Sequence, residues 1–320
     1  MFTKNIVVAE HAFILCFQIM GVLAGNIILP IRSQLLYSER RYKEIEWSLR
    51  SLKPKKRVII SKLGLYQSLA FEFVLILSFI DFWVIFPEIN KTCVMMAAFE
   101  YNNWLLTGVL YFLEIGDVLT MCYFVLMVPN LHTYFALKAE VQIFLLTQYV
   151  NSLNEYLRTH KGRNQEQIVK FNLRLIYNRY CEIKQVYVDI RDAVSSAGIK
   201  YVLPSSLITI FIVYAAVEGN LSIVTLVMHF VVFSTVLIIT IISGQRYEDE
   251  WKHFYESLCK LPWYTWSLRN QKSYLIMITG SSKIVQLIIL ETIVVNYSLF
   301  IKVGRFLYTG ANMIFSLHRK

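Results

Sequence analysis

Six apolar runs recur along this chain, and nothing else constrains its fold as strongly. They cover Asn5 to Ile31, Val58 to Phe86, Trp104 to Val128, Val202 to Val217, Leu221 to Ser243 and Ile284 to Leu317. A helix needs about 20 mainly apolar residues to cross a bilayer. Inside the bilayer every backbone polar group must find its partner within the protein, which leaves helices and closed barrels. Runs of this length read as helices, so the expected fold is all-α: a polytopic transmembrane helical bundle with six visible spans. The composition agrees, at 56% hydrophobic and 17% charged residues, against about 25% charged in soluble domains.

The net charge of +10 does not point to nucleic acid, because the basic residues gather in loops between the apolar runs. Residues 32–57 hold nine Lys/Arg against three Glu and end in Lys53-Pro54-Lys55-Lys56-Arg57. Positive loops stay in the cytoplasm, which places this one inside. The loop from Pro87 to Asn103 is short and nearly neutral. It carries Asn90-Lys91-Thr92, a glycosylation sequon that marks Asn90 as an outside position. With six spans and the basic loops inside, the chain begins and ends outside. The first run is too long for a cleavable signal peptide and has no clear small-residue cleavage site.

Within Trp104 to Val128, Glu114 and Asp117 are one helical turn apart and share a face. That face should look into protein or water, since charge is costly in lipid. Pro129 then allows a kink. From Asn130 to Tyr201 the pattern turns amphipathic, with ten Lys/Arg and six Asp/Glu. Apolar residues fall at helical spacing at Phe144, Leu145, Val150, Leu153 and Leu157, and again at Leu175, Ile176, Ile183, Val186 and Ile190. This predicts two long helices, broken at Lys161-Gly162-Arg163, that project into the cytoplasm. Residues 244–283 are also cytoplasmic and hold the aromatic cluster Trp251, Trp263, Tyr264 and Trp266. In the last run Glu291, Lys302 and Arg305 interrupt the apolar pattern. They either snorkel to an interface or face water or a neighbouring subunit.

No HExxH, GxSxG, Walker loop or metal-spaced His cluster occurs, so the chain does not read as an enzyme. The five cysteines show no CxxC or His-paired spacing, and no metal site, disulfide framework or cofactor follows from them. The outer halves of the spans are rich in aromatic residues, among them Phe82, Trp83, Tyr111, Phe211 and Tyr214. An aromatic cavity with few polar groups suits a small, uncharged, greasy ligand. The same residues also fit the aromatic belt that flanks most spans.

The C-terminal third resembles the insect odorant receptors. The resemblance rests on Leu258-Cys259-Lys260-Leu261-Pro262-Trp263-Tyr264, on Asn270-Gln271-Lys272-Ser273-Tyr274-Leu275-Ile276-Met277-Ile278, and on Asn296-Tyr297-Ser298-Leu299-Phe300. The stretch from Tyr177 to Val217 and the piece Tyr149-Val150-Asn151-Ser152-Leu153-Asn154 are similar to the wider insect chemoreceptor superfamily, the latter to its gustatory branch.

The resemblance implies seven spans with a cytoplasmic N-terminus, against the six visible here. The family's first span would then be missing, and Asn5 to Ile31 would correspond to its second. It implies a ligand-gated, non-selective cation channel in the plasma membrane of a sensory neuron. The channel would be a hetero-tetramer with an odorant co-receptor subunit, opened by a small hydrophobic volatile ligand. Residues 1–129 would form the ligand-binding transmembrane helices and 130–201 the cytoplasmic anchor helices. Residues 202–243 would be a transmembrane pair, 244–295 a further anchor segment and 296–320 the pore-lining helix. Phe82, Trp83, Tyr111, Phe211 and Tyr214 would line the ligand pocket, and Met313, Ser316 and Leu317 the gate. Thr309-Gly310 and Ser316 depart from the co-receptor pattern, which suggests a ligand-tuning subunit. A gustatory receptor is the alternative within the superfamily. A G-protein-coupled receptor lacks its DRY and NPxxY motifs here, and a transporter lacks its internal repeats.

Overall fold

The computed structural model describes residues 37, 39–40, 42–44, 47, helical positions scattered over 62–76, and then 104–160, 165–189, 191, 223–289 and 292–318. The spans expected at Asn5 to Ile31 and Val202 to Val217, and the aromatic end of Val58 to Phe86, lie outside the described residues.

Helix α1 (Trp104–Thr159) has 56 residues and so runs about 84 Å at 1.5 Å per residue. That far exceeds the hydrocarbon core, about 30 Å thick. It joins the third apolar run to the first amphipathic segment with no interruption at Pro129. A proline inside a helix removes one backbone hydrogen bond. One turn on, the Thr133 hydroxyl donates to the Pro129 carbonyl at 2.8 Å, which is not the carbonyl the proline leaves unpaired. Helix α2 covers 165–189, so the predicted pair of amphipathic helices is present. Helix α3 (Ile223–Cys259, 37 residues) also continues past its apolar run. Helix α4 (Leu268–Ser282) follows a short 3-10 turn at Trp263–Thr265, and α5 (Tyr297–His318) closes the described chain.

Apolar spacing explains how these helices pack. Ile143, Leu146, Val150 and Leu157 on α1 are buried, as are Ile176 and Ile183 on α2. They form one core with Tyr247, Trp251, Phe254 and Leu258 on α3 and with Tyr274 and Met277 on α4. Complete burial of such side chains contributes about 1.5–3 kcal/mol each. Within the core, Tyr187 stacks on Tyr247 with ring centroids 5.1 Å apart. Trp251 meets Tyr180 edge-on at 5.5 Å. Of the predicted aromatic cluster, Trp251 and Trp266 are core residues, whereas Trp263 and Tyr264 are exposed.

The two ends of α3 have different surroundings. Ile223, Val227, Phe230 and Ile238 are exposed, whereas Tyr247, Phe254 and Leu258 are fully buried. The apolar part is long and apolar enough to cross a membrane, the one helix among the described residues of which this holds. The change falls at Gly244.

The last apolar run is not one helix. Ile288–Ile289 and Ile293–Val294 pair antiparallel, Ile288 with Val294 and Ile289 with Ile293, and α5 starts only at Tyr297. The chain is therefore not purely α. The reason is local: Ile288, Ile289, Thr292, Ile293, Val294 and Val295 are β-branched, and such residues favour the pleated backbone.

Part of the basic loop docks on this helical core. Tyr42 is buried and its hydroxyl donates to the Lys138 carbonyl at 2.5 Å. The Trp47 amide donates to Gln142 Oε1 at 2.9 Å, and the guanidinium of Arg179 lies 5.0 Å from the Trp47 ring. Tyr42 and Trp47 therefore lie against the amphipathic part of α1, and Trp47 also against Arg179 of α2.

Candidate functional site

Several polar contacts between separate elements gather where α3, the hairpin and α5 meet. Asn296 begins α5. Its Oδ1 accepts from the Ser298 amide at 3.1 Å, the usual action of an N-cap residue. It also accepts from the Ser298 hydroxyl at 2.6 Å. The other end of the same amide, Nδ2, donates to Glu248 Oε2 on α3 at 3.1 Å. The Tyr297 amide donates to Gln245 Oε1 at 3.3 Å. Two side chains one turn apart on α3 therefore hold the first turn of α5.

Beneath them the backbones nearly touch. Gly244 faces Val295 so closely that a side chain at 244 has no room. Val295 is buried and its amide donates to the Leu287 carbonyl at 2.8 Å, which closes the hairpin. On the far side, the Tyr187 hydroxyl donates to the Gln286 carbonyl at 2.6 Å and accepts from the Ile288 amide at 3.3 Å. The segment leading into α5 is thus held by α2 on one side and α3 on the other.

The charges here are mostly paired. Glu248 is buried and bonds Lys252 Nζ at 3.0 Å. Burial pushes its carboxyl upward, but Lys252, Asn296 and Gln286 outweigh this and hold it below the ordinary carboxylate value. Arg246 pairs with Glu140 of α1. Burial there prevails over the guanidinium and raises the Glu140 carboxyl. Glu250 is raised as well, by burial and then by Glu140.

A second polar anchor fixes the segment that carries Leu261-Pro262-Trp263-Tyr264. Glu166 on α2 accepts from the Ser267 amide at 2.7 Å and from the Asn270 side-chain amide at 2.6 Å. The positive end of α4 thereby receives a carboxylate from another helix. Leu261 is buried, and the Tyr274 hydroxyl donates to the Leu258 carbonyl at 3.0 Å. The Tyr149-to-Asn154 piece also has a packing role. Val150 and Leu153 are buried, and Tyr149 hydrogen-bonds Asn172 of α2.

Of the pocket residues expected from sequence, Phe82, Trp83, Phe211 and Tyr214 lie outside the described residues, as does Asn90. Tyr111 lies on the backbone of α1, and Met313, Ser316 and Leu317 on the last turns of α5. Sequence reasoning missed Gly244, Gln245 and Glu248. Their one signal is a glycine where the apolar run of α3 gives way to Gln245-Arg246-Tyr247-Glu248.

No protein-family model matches the chain, and no curated protein does. The solved structures are informative. The chain is similar to the insect olfactory receptor OR5 from Machilis hrabei, with a TM-score of 0.60 and 12% sequence identity. The similarity covers 98% of this chain and 88% of that one. At this identity the likeness establishes a shared fold, and it agrees with the resemblance read from the C-terminal third.

Proposed function

We propose that this chain is an odorant receptor subunit: one part of an odorant-gated, non-selective cation channel that works with a co-receptor subunit in a multi-pass plasma-membrane assembly. The observation that carries the reading is the junction. A terminal helix of 22 residues, about 33 Å long and mostly exposed in the isolated chain, is fastened at its first turn to a buried helical core. A helix held in this way can change its tilt while the core stays fixed. The shared fold with an insect olfactory receptor supports the same reading.

In this proposal the volatile ligand binds among Phe82, Trp83, Tyr111, Phe211 and Tyr214 in the outer half of the bundle. It favours opening only to the extent that it binds the open state better than the closed one. Met313, Ser316 and Leu317 form the gate, where apolar side chains close the path by dewetting. Residues 130–201 and 244–295 anchor the subunits to one another, and Asn90 is glycosylated outside.

The test is current recording from cells that express this chain with a co-receptor, against panels of volatile and soluble tastant ligands. A current evoked by a volatile ligand is expected. Trp83→Ala and Tyr214→Ala should then shift the dose–response curve without altering currents driven through the co-receptor alone. Surface expression with no current to any ligand would overturn the channel reading. Responses to tastants alone would place the chain on the gustatory branch.

A further inference from the structure

Helix α5 carries a polar stripe that its apolar composition conceals. Ser298, Lys302, Arg305, Thr309 and Asn312 follow one another at steps of four, three, four and three, and Ser316 continues the series. On a helix that spacing puts all of them on one face. Each of the first five is exposed. The remaining surface carries large apolar side chains, including Phe300, Ile301 and Phe306, also exposed. No described carboxylate pairs with Lys302 or Arg305.

Snorkelling explains a charge near a helix end, but not this stripe. Asn312 lies fifteen residues beyond Tyr297, about 22 Å along the axis and well past headgroup depth. A polar face of this length in a bilayer needs water or other protein against it. Its charge is also uneven: the half near the junction carries two cations per subunit and the far half carries none.

We infer that the Ser298–Lys302–Arg305–Thr309–Asn312 face of α5 lines the ion path, and that Lys302 and Arg305 form a basic collar at its cytoplasmic end that restrains cation flow through channels containing this subunit. This rests on the channel reading above and adds to it a face and an electrostatic role. Like charge at a pore mouth lowers the local cation concentration, and narrow low-dielectric walls strengthen the effect. Divalent cations, with twice the charge, are depleted more. Cations leaving the cell meet the collar first, so outward current is restrained more than inward.

Two measurements test this, and the first does not require current. Single cysteines from Ser298 to Asn312 are labelled with a membrane-impermeant maleimide from the cytoplasmic side of inside-out vesicles, in co-assembled channels. Labelling is expected at 298, 302, 305, 309 and 312 and not at positions on the opposite face such as 300 and 307. Reactivity that merely declines with depth on every face would place the charges at the headgroups and overturn the inference. In the second, Lys302→Gln with Arg305→Gln should raise outward single-channel conductance about twofold at low ionic strength. The gain should disappear near 1 M salt, where screening shortens to about 3 Å. Unchanged conductance and rectification at low salt, with the stripe labelled, would overturn the collar. A chain that labels periodically but passes no current would fail the channel reading while keeping the water-lined face, so the two failures are distinct.

Discussion

A Cβ at Gly244 would lie 2.1 Å from the carbonyl oxygen of Val295 and 2.9 Å from its Cγ1. The first contact is with backbone, which cannot rotate away. Helix α3 and the start of α5 can therefore meet as they do only because residue 244 has no side chain. Gly244→Ala must push the hairpin from α3 and strain the Asn296–Glu248 and Tyr297–Gln245 contacts beyond it. Overpacking of this kind costs about 1–3 kcal/mol. The expected result is a lower unfolding temperature in nanodiscs. Ser at 244 should do the same, since the obstacle is the Cβ itself. A variant as stable as the parent would show that the backbones do not approach this closely.

Tyr187 should matter through a single atom. Its hydroxyl serves both the Gln286 carbonyl and the Ile288 amide, while its ring stacks on Tyr247. Tyr187→Phe keeps the ring and leaves two backbone groups short of a partner. Each unmade bond costs about 1–3 kcal/mol where water cannot replace it. Faster amide exchange is expected at Ile288 and its neighbours, with little change at Tyr247. Equal exchange in the two proteins would mean that the hairpin does not depend on this hydroxyl.

The Glu248 carboxyl gives a pH signature. Its folded value is held below the ordinary one, so the unfolded chain binds a proton more readily. The stability it contributes is complete above the unfolded value of about 4.3 and is lost as pH falls through the folded value. The part of the parent's acid limb that belongs to Glu248 should fall in that range. Glu248→Gln should be less stable at pH 7 and should lack this part of the limb, so the two curves converge in acid. Curves that stay parallel down to pH 3 would remove Glu248 from the account of the junction.

Reading these elements from sequence succeeded where one periodicity governs a long segment. Leu145, Val150, Leu153, Leu157, Ile176, Ile183 and Val186 are buried, each on the face that helical spacing assigns. The break after Thr159 was also legible, because glycine and basic residues interrupt the pattern. What failed was continuity. Val128 and Ser243 look like span ends because polarity changes there, yet α1 and α3 run through both points. Hydrophobicity records the surroundings of a helix, and the backbone hydrogen bonds that continue it are indifferent to that change. Ile284 to Val295 is apolar enough for a span, and only the resemblance separates it from the helix that starts at Tyr297. Its β-branched run favours a hairpin, which neither reading expected. The Gly244–Val295 contact joins residues 51 positions apart, and no local pattern announces such a pair.

Glu166 provides the last test, because it replaces a cap that Ser267 does not supply. Ser267 precedes α4, but its hydroxyl makes no capping bond to the helix. It donates instead to Glu166 Oε2 at 2.5 Å. The carboxylate also receives the Ser267 amide and the buried Asn270 side chain. Helix α4 therefore depends on α2 for its start, and the Leu261-Pro262-Trp263-Tyr264 turn is confined between them. Glu166→Ala removes a negative charge from a helix N-terminus and three accepted hydrogen bonds. Solvent exposure of Glu166 moderates the loss, which should be about 1–2 kcal/mol. Glu166→Gln keeps one acceptor oxygen and should lose roughly half as much. Hydrogen exchange should accelerate over 267–271 in the alanine variant and remain unchanged along the buried part of α3. If exchange over 267–271 does not accelerate, α4 is capped by its own residues and the link from α2 carries no stability.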